Sequence, residues 1–227
     1  MNKFFSKPDT AWLISAAVAS ALLVASIFLP LWRMELIAPQ YPNGLAIWAF
    51  GNGFVGDTSG YYESFDTLLE INNLNHYIGM KPIEEVWAMD IFIPGLALTI
   101  LGAILTSFIA WNKRFFQALM ALAFWTIPVF FIVVLQYYLY DFGHTMKGDA
   151  ALAMDPFTPK VIGSTSVWNF HTNNSFQIGF LLMLLSALTI TFLPPAIRHI
   201  QARRARAASA VTESANTGAT PVQGKLA

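Results

Sequence analysis

The chain has 227 residues, of which 56% are hydrophobic and only 11% charged, and its formal net charge at pH 7 is zero. Soluble domains usually carry about 25% charged residues, so this composition is typical of a membrane protein, and the balanced charge gives no indication of nucleic-acid binding. The sequence has no cysteine, which excludes disulfides, thiolate-bound iron–sulfur clusters and the attachment of c-type haem.

Four apolar segments are long enough to cross a bilayer, which takes about 20 helical residues. We expect transmembrane helices at residues 12–32, 91–111, 115–138 and 175–197. None of these segments contains a charged side chain or a histidine. Tryptophan and tyrosine mark several of their ends, as at a membrane interface. The sequence therefore predicts an all-α membrane protein with four transmembrane helices and two long structured outer loops.

The distribution of basic residues predicts the orientation. With four spans, the N-terminal residues 1–11, the turn at 112–114 and the tail at 198–227 lie on one side, which holds nine of the 13 Lys and Arg residues. Basic residues accumulate in cytoplasmic loops. We therefore expect a multi-pass protein of the lipid bilayer with both termini in the cytoplasm, and a disordered tail from about residue 207, where apolar periodicity is lost.

Small residues recur every four positions in the first two predicted spans. Such stripes allow helix backbones to approach closely and so predict helix contact faces. The residues concerned are Ala17, Ala21 and Ala25 in the first span, and Gly95, Thr99, Ala103 and Ser107 in the second.

The two outer loops, residues 33–90 and 139–174, contain many aromatic and aliphatic residues. We expect them to fold against each other and against the membrane surface. In the first loop, the alternation of Leu45, Ile47 and Ala49 indicates a short strand.

A helix and a helix cap are predicted within these loops. Apolar positions between residues 65 and 78 recur with a helical period, and Gly79 is a suitable stop. In the second loop, polar residues before the fourth span are expected to cap that helix, with a pocket at the membrane surface as the alternative. These residues are Asn169, His171, Asn173 and Asn174.

Histidine and methionine are the candidate metal ligands. If the helix continues to residue 80, Asn72, His76 and Met80 lie four residues apart on one face. Imidazole and thioether together suit copper, and thioether favours Cu(I). Further candidates on the predicted outer side are His171, His144 and Met34. The alternative is structural, since Met commonly fills apolar cores and a histidine beside Asn residues is more often hydrogen-bonded within the fold.

The common signatures of enzymes and pumps are missing from the sequence. It has no Walker-type phosphate loop, dinucleotide-binding glycine fingerprint or HExxH motif, and no nucleophile elbow. No ionisable residue lies in the predicted spans, where ion and proton pathways usually place one. We therefore predict no catalytic residues, and expect that the protein is not an enzyme.

Segments of both outer loops resemble a known family. The first loop contributes APQYPNGL at 38–45 and INNLNHYIGM at 71–80, and the second contributes PFTP at 156–159 with Gly163, Asn169 and Phe170. These segments and the four-span layout resemble the NosB-like small membrane proteins, which are encoded beside nitrous-oxide reductase genes of the Sec-exported type. The resemblance implies a bacterial inner (plasma) membrane location and an accessory role in copper-enzyme maturation or electron supply.

Three hypotheses about function remain open at this point. The first is an accessory protein of a respiratory copper enzyme, which presents His and Met side chains to Cu(I) or to another membrane or periplasmic protein. The second is a structural membrane subunit whose outer loops dock a partner without any metal. The third is a small-solute carrier or membrane enzyme with a pocket where the loops meet the helices.

Overall fold

The computed structural model of the protein describes residues 9–58, 66–83, 88–109, 113–146, 150–151 and 155–217. The described residues form five helices and five strands, in the order α1 (Thr10–Ile27), β1 (Trp32–Ala38), β2 (Tyr41–Phe50), β3 (Gly53–Gly56), α2 (Thr67–Tyr77), α3 (Ala88–Thr106), α4 (Lys113–His144), β4 (Gly163–Val167), β5 (Phe170–Phe176) and α5 (Ile178–Thr217). The fold is mixed α/β, and the prediction of an all-α protein is wrong.

The five strands form one antiparallel sheet in the order β3–β2–β1–β5–β4. Strand β1 is central and pairs with both β2 and β5, so that Leu36 lies opposite Leu45 on one side and Thr172 on the other. Strands β1 to β3 come from the first predicted outer loop, and β4 and β5 from the second. The β1–β5 pairing therefore confirms that the two loops fold against each other.

The sheet escaped prediction because most of its strands carry little signal of their own. Strands β1 and β5 join the apolar ends of α1 and α5, where hydropathy alone does not distinguish a strand from a helix. Strands β4 and β5 are rich in Ser, Thr and Asn, which resembles a polar loop. The predicted strand around Leu45, Ile47 and Ala49 is confirmed and lies within β2.

Three helices are long and apolar enough to cross a membrane, namely Thr10–Ile27, Lys113–His144 and Ile178–Val211. The prediction of four spans is therefore wrong. The segment predicted at 91–111 belongs to α3, which ends at Thr106 and whose apolar stretch Asp90–Thr106 is shorter than these three helices.

Two other helix limits differ from the predicted ones. Helix α1 ends at Ile27 and not at residue 32, because the chain turns at Phe28 and enters β1 at Trp32. Helix α5 continues to Thr217, into the tail predicted to be disordered. Alanine, arginine and glutamine have high helix propensity, which supports a helix without an apolar period.

Helices α1 and α5 pack along most of the length of α1. Their contact is made by small side chains, since Ala16 and Ala19 of α1 and Ala187 of α5 are fully buried. The Ser186 hydroxyl donates a hydrogen bond of 2.7 Å to the carbonyl oxygen of Ala19. The predicted stripe at Ala17 and Ala21 is exposed, so the contact face of α1 is the neighbouring one. We call this contact the α1–α5 seam.

Polar residues join three helices at the end of the bundle where α1 begins. The Asp9 carboxylate caps α1 by accepting from the Trp12 backbone N–H at 3.3 Å. It also accepts from Gln117 at 3.1 Å and from Arg198 at 2.7 Å. Burial by itself raises the pKa of Asp9, but the bonds from Gln117, Trp12 and Arg198 and the Arg198 charge hold it below its ordinary value of 3.8.

Candidate functional site

A large cavity lies at the other end of the bundle, where the sheet and α2 meet α3 and α4. Its mouth is open, and the space inside it that the centre of a water-sized sphere can reach is about 120 Å³. Its walls come from the sheet, from α2, from the neighbouring halves of α3 and α4, and from the segment before β4. The cavity therefore occupies the junction between the two predicted outer loops and the helices.

One face of the sheet forms the first wall. Successive side chains of a strand point to opposite faces, and the lining residues follow that alternation. Strand β1 contributes Trp32, Met34 and Leu36, and β5 contributes Phe170 and Thr172. The Trp32 indole is held in place by a 2.8 Å hydrogen bond to the carbonyl oxygen of Val161.

Aromatic side chains of the helices form the second wall. Phe92 of α3 and Phe131 of α4 line the cavity, with ring centroids 6.2 Å apart in a tilted arrangement. Phe142 near the end of α4 lines it too. Next to it, Gly143 lets the chain at Phe157 contact the helix backbone, because a Cβ at residue 143 would collide with the Phe157 carbonyl.

Helix α2 closes the cavity from the side. Asp66 caps its first turn by accepting a 3.1 Å bond from the Leu69 backbone N–H. The helix ends at Tyr77, and Gly79 follows at a φ of +81°, so the predicted helix and its stop at Gly79 are confirmed. Beyond that turn, Lys81 forms a 2.9 Å ion pair with Asp141 of α4, which joins the α2 segment to the bundle.

The lining is almost wholly apolar. Among the described residues that line the cavity none is charged, and the polar ones are Asn75, Thr165, Thr172 and Tyr138. Thr165 accepts a bond from the Lys160 backbone N–H at 3.0 Å, and Thr172 donates to the Thr165 carbonyl at 3.5 Å. The surface therefore suits a hydrocarbon ligand, with few places for polar groups.

The opposite face of the sheet is polar. Arg33 lies 5.3 Å above the ring of Trp48 and forms a 3.3 Å ion pair with Glu35. His171 lies on this face, with its Nδ1 2.8 Å from the Ser166 hydroxyl oxygen. We call it the polar face.

The predicted metal ligands are distributed over several surfaces. Met34 and Met80 line the cavity, whereas His171 lies on the polar face. His76 is exposed on α2. His144 is exposed at the end of α4, where it stacks on Tyr140 at 3.9 Å between ring centroids and its Nδ1 lies 2.9 Å from the Tyr140 carbonyl oxygen.

The expected alignment of Asn72, His76 and Met80 on one helix face is wrong. Helix α2 ends before Met80, and the chain turns at Gly79 so that the Met80 N–H bonds to the Asn75 carbonyl at 2.7 Å. In the part of the chain that the structure describes, no three His, Asp or Glu side chains form a group suited to a metal ion. Copper binding stays a prediction.

The polar residues before α5 are also placed differently from the prediction. Asn169 lies in the β4–β5 turn, while His171, Asn173 and Asn174 belong to β5, and α5 begins at Ile178. Asn174 is buried and donates a 2.6 Å bond to the Lys160 carbonyl, which ties β5 to the segment before β4. These residues build the sheet and do not cap the helix.

The cavity was predicted only as an alternative, as a pocket at the loop–helix junction. Its residues are far apart in the sequence, and no motif connects them. The signal available was indirect, namely the aromatic and aliphatic side chains within long loops. No protein-family model and no curated protein sequence matches the chain. The resemblance to NosB-like proteins therefore stays a prediction.

Proposed function

We propose that this protein is a membrane-embedded binding protein that holds a hydrocarbon ligand between its sheet and its helices. The observation that carries the proposal is the apolar cavity, which measures about 120 Å³ as the space open to the centre of a water-sized sphere. Small-molecule sites typically have apolar walls with a few polar groups. A single water molecule needs about 10–15 Å³ on the same measure, so the cavity has room for more than a water molecule. An acyl chain or an isoprenoid chain from the surrounding lipid fits this description.

The packing of the cavity walls supports an occupant. Protein interiors normally pack as densely as organic crystals, with few voids larger than a water molecule. The large lining side chains Trp32, Phe131 and Phe142 would lose dispersion contacts across an empty apolar space. A hydrocarbon in the cavity supplies those contacts and stabilises the folded protein by mass action.

The proposal favours a binding role over an enzymatic one. No charged group and no histidine is found among the described residues that line the cavity, so they offer no acid–base pair or charged nucleophile. An inner-membrane location with both termini in the cytoplasm belongs to the same proposal. It is supported because Asp9 before α1 contacts Arg198 of α5 and the Ser107 carbonyl after α3, so that α3, although shorter than the three spans, also runs to this end of the bundle. This location places the sheet and the cavity on the outer side, next to the membrane surface.

The test is to purify the protein in detergent and identify co-purifying apolar molecules by native mass spectrometry and lipid extraction. Val167→Trp adds a large side chain to the lining on β4 and should reduce the retained ligand at least tenfold. Ser166→Trp is the matched control, because the adjacent side chain lies on the polar face. Equal retention by both variants, or no retained ligand in folded wild type after incubation with lipid, would contradict the proposal.

A second candidate is the accessory role in copper handling. The observation that favours it is that two of the five candidate ligands, Met34 and Met80, line the same cavity. Thioether sulfurs suit Cu(I). Competition with a chromogenic Cu(I) chelator tests it, with Met34→Leu/Met80→Leu compared with wild type. Copper binding that is unchanged in this variant would place any metal elsewhere, and His76→Ala would be the next variant.

A further inference from the structure

The cavity lining includes a polar side chain, Asn75, that is more than nine-tenths buried and forms no side-chain hydrogen bond with the described residues. It lies on α2 with 8% of its surface exposed, and it lines the cavity. Its backbone carbonyl accepts from the Met80 N–H at 2.7 Å, while its side-chain amide bonds to none of the described residues. Two donors and one acceptor are therefore available within an apolar space.

A buried amide without partners is costly, since losing its hydrogen bonds to water destabilises the folded state. Leucine has nearly the same shape and would line this surface without that cost. The neighbouring lining residues of α2, Leu74 and Ile78, are of that kind. The placement of an amide among them indicates a partner that arrives with the ligand.

We infer that Asn75 recognises a neutral hydrogen-bonding group, a carbonyl or a hydroxyl, on the hydrocarbon ligand. This inference rests on the proposed function and specifies its ligand class. An asparagine amide pairs with a carbonyl through its N–H groups and with a hydroxyl through its oxygen. Two sources carry such a carbonyl on a long chain, namely the ester of an acyl lipid and the ring of an isoprenoid quinone.

The lack of charged side chains among the described lining residues selects against ionised ligands. None of the described lining residues carries a charge. A carboxylate or phosphate drawn into this space would lose its hydration without gaining a counter-charge. The cavity should therefore discriminate a fatty-acid ester from the corresponding carboxylate, although the two have the same chain.

The test measures dissociation constants for four probes of equal chain length, by competition with a tritiated acyl methyl ester on the detergent-purified full chain. The probes are an acyl methyl ester, a fatty alcohol, a fatty-acid carboxylate and an alkane. Wild type should bind the ester and the alcohol about three- to tenfold more tightly than the alkane, the range expected for one hydrogen bond. It should bind the carboxylate most weakly.

Asn75→Leu should remove this preference, so that the ester and the alcohol bind no more tightly than the alkane. The matched control is Asn73→Leu, since Asn73 is exposed on the same helix. Without ligand, Asn75→Leu should unfold at the same temperature as wild type or higher, whereas an asparagine with a purely structural role would give a lower temperature. An alkyl-substituted benzoquinone as a fifth probe distinguishes the two sources. Whichever of the ester and the quinone has the lower dissociation constant identifies the class of the ligand.

The outcomes separate the two proposals. An ester preference that persists in Asn75→Leu would overturn the inference about Asn75 while the cavity still binds hydrocarbon. Failure of all probes to bind a folded wild type would instead overturn the proposed function itself.

Discussion

The α1–α5 seam and the cavity are built from similar apolar residue types but are packed in opposite ways. In the seam, small side chains bring two helices together and leave Ala16, Ala19 and Met183 fully buried. Around the cavity, large side chains such as Trp32 and Phe131 surround an open apolar space of about 120 Å³, measured at the centre of a water-sized sphere. Apolar composition alone therefore does not determine packing density, and side-chain size and backbone position decide between a closed contact and a binding space.

The comparison predicts opposite responses to added volume. In the seam, an added methylene has no free space and must displace a helix or force a poor rotamer. In the cavity, the same addition occupies space that is already empty. Substitutions that enlarge side chains in the two regions therefore test this difference in packing.

The largest effect is expected for Ala19→Leu in the seam. Ala19 is fully buried, and its carbonyl oxygen accepts the 2.7 Å bond from Ser186 of α5. A leucine there would separate the helices and weaken that bond, with an expected loss of about 1–3 kcal/mol of unfolding free energy. Thermal unfolding in one fixed detergent measures it. Ala17→Leu is the control, because Ala17 is exposed and its substitution should change the midpoint little.

The second-largest effect is expected at Asp9, which joins α1 to Gln117 of α4 and Arg198 of α5 at the end of the bundle opposite the cavity. Asp9→Ala removes the cap of α1 and the bonds from Gln117 and Arg198, and should destabilise by about 0.5–2 kcal/mol. Asp9→Asn retains the capping oxygen but loses the charge, and should cost less than 1 kcal/mol, roughly the value of an exposed ion pair.

The lowered pKa of Asp9 predicts how that difference depends on pH. In the unfolded chain the carboxyl group has its ordinary pKa of 3.8, and in the folded protein the pKa is lower. The carboxylate therefore stabilises the fold above pH 3.8, and this contribution is lost as the pH falls through the folded pKa. Unfolding midpoints of wild type and Asp9→Asn should converge in acid. A gap that widens in acid would show that the pKa is raised instead.

Local sequence patterns predicted the helices and strands that have a clear hydrophobic periodicity. They failed where structure depends on pairing between segments that are distant in the sequence. The helix before Gly79 and the strand around Ile47 were predictable, because each has its own periodicity and stop signal. The sheet as a whole was not, since β1 and β5 are 138 residues apart when counted from Trp32 to Phe170 and pair only in three dimensions.

The candidate site was predictable only in outline. Met34, Asn75 and Thr172 reach the cavity from a strand, a helix and another strand, and no spacing in the sequence connects them. The His76–Met80 spacing suggested a shared helix face, but the turn at Gly79 separates the two residues. Ala17 illustrates the same limit in α1. Small residues recur along two adjacent faces of this helix, and only the position of α5 determines which face makes the contact.

A third prediction concerns the hairpin whose flanking residues line the cavity. Trp168 lies in the turn between β4 and β5 with a φ of +54°, and among the described residues no other non-glycine residue has a positive φ. This conformation costs an L-residue about 1–2 kcal/mol and costs glycine almost nothing.

Trp168→Gly should therefore raise the stability of the protein by up to about 1 kcal/mol, since glycine's larger unfolded-state entropy offsets part of the gain. The Trp168 side chain is largely exposed, so little packing is lost. Asn169→Gly is the control and should lower stability, because Asn169 does not have a positive φ. Thermal unfolding compares the two, and a midpoint lowered by Trp168→Gly would show that the exposed indole itself stabilises the protein.

The smallest change in stability is expected from added volume inside the cavity. Val134 of α4 lines the cavity, and the adjacent Val133 is exposed on the helix surface. Val134→Phe should leave the unfolding midpoint within about 1 kcal/mol of wild type or raise it, because a well-placed cavity-filling side chain commonly stabilises. Ligand binding should fall at the same time, since the ring takes up space that a hydrocarbon would occupy. Val133→Phe should change neither quantity. A loss of stability in Val134→Phe as large as that of Ala19→Leu would mean that α4 packs as tightly at this point as the seam does, and the contrast between the two regions would fail.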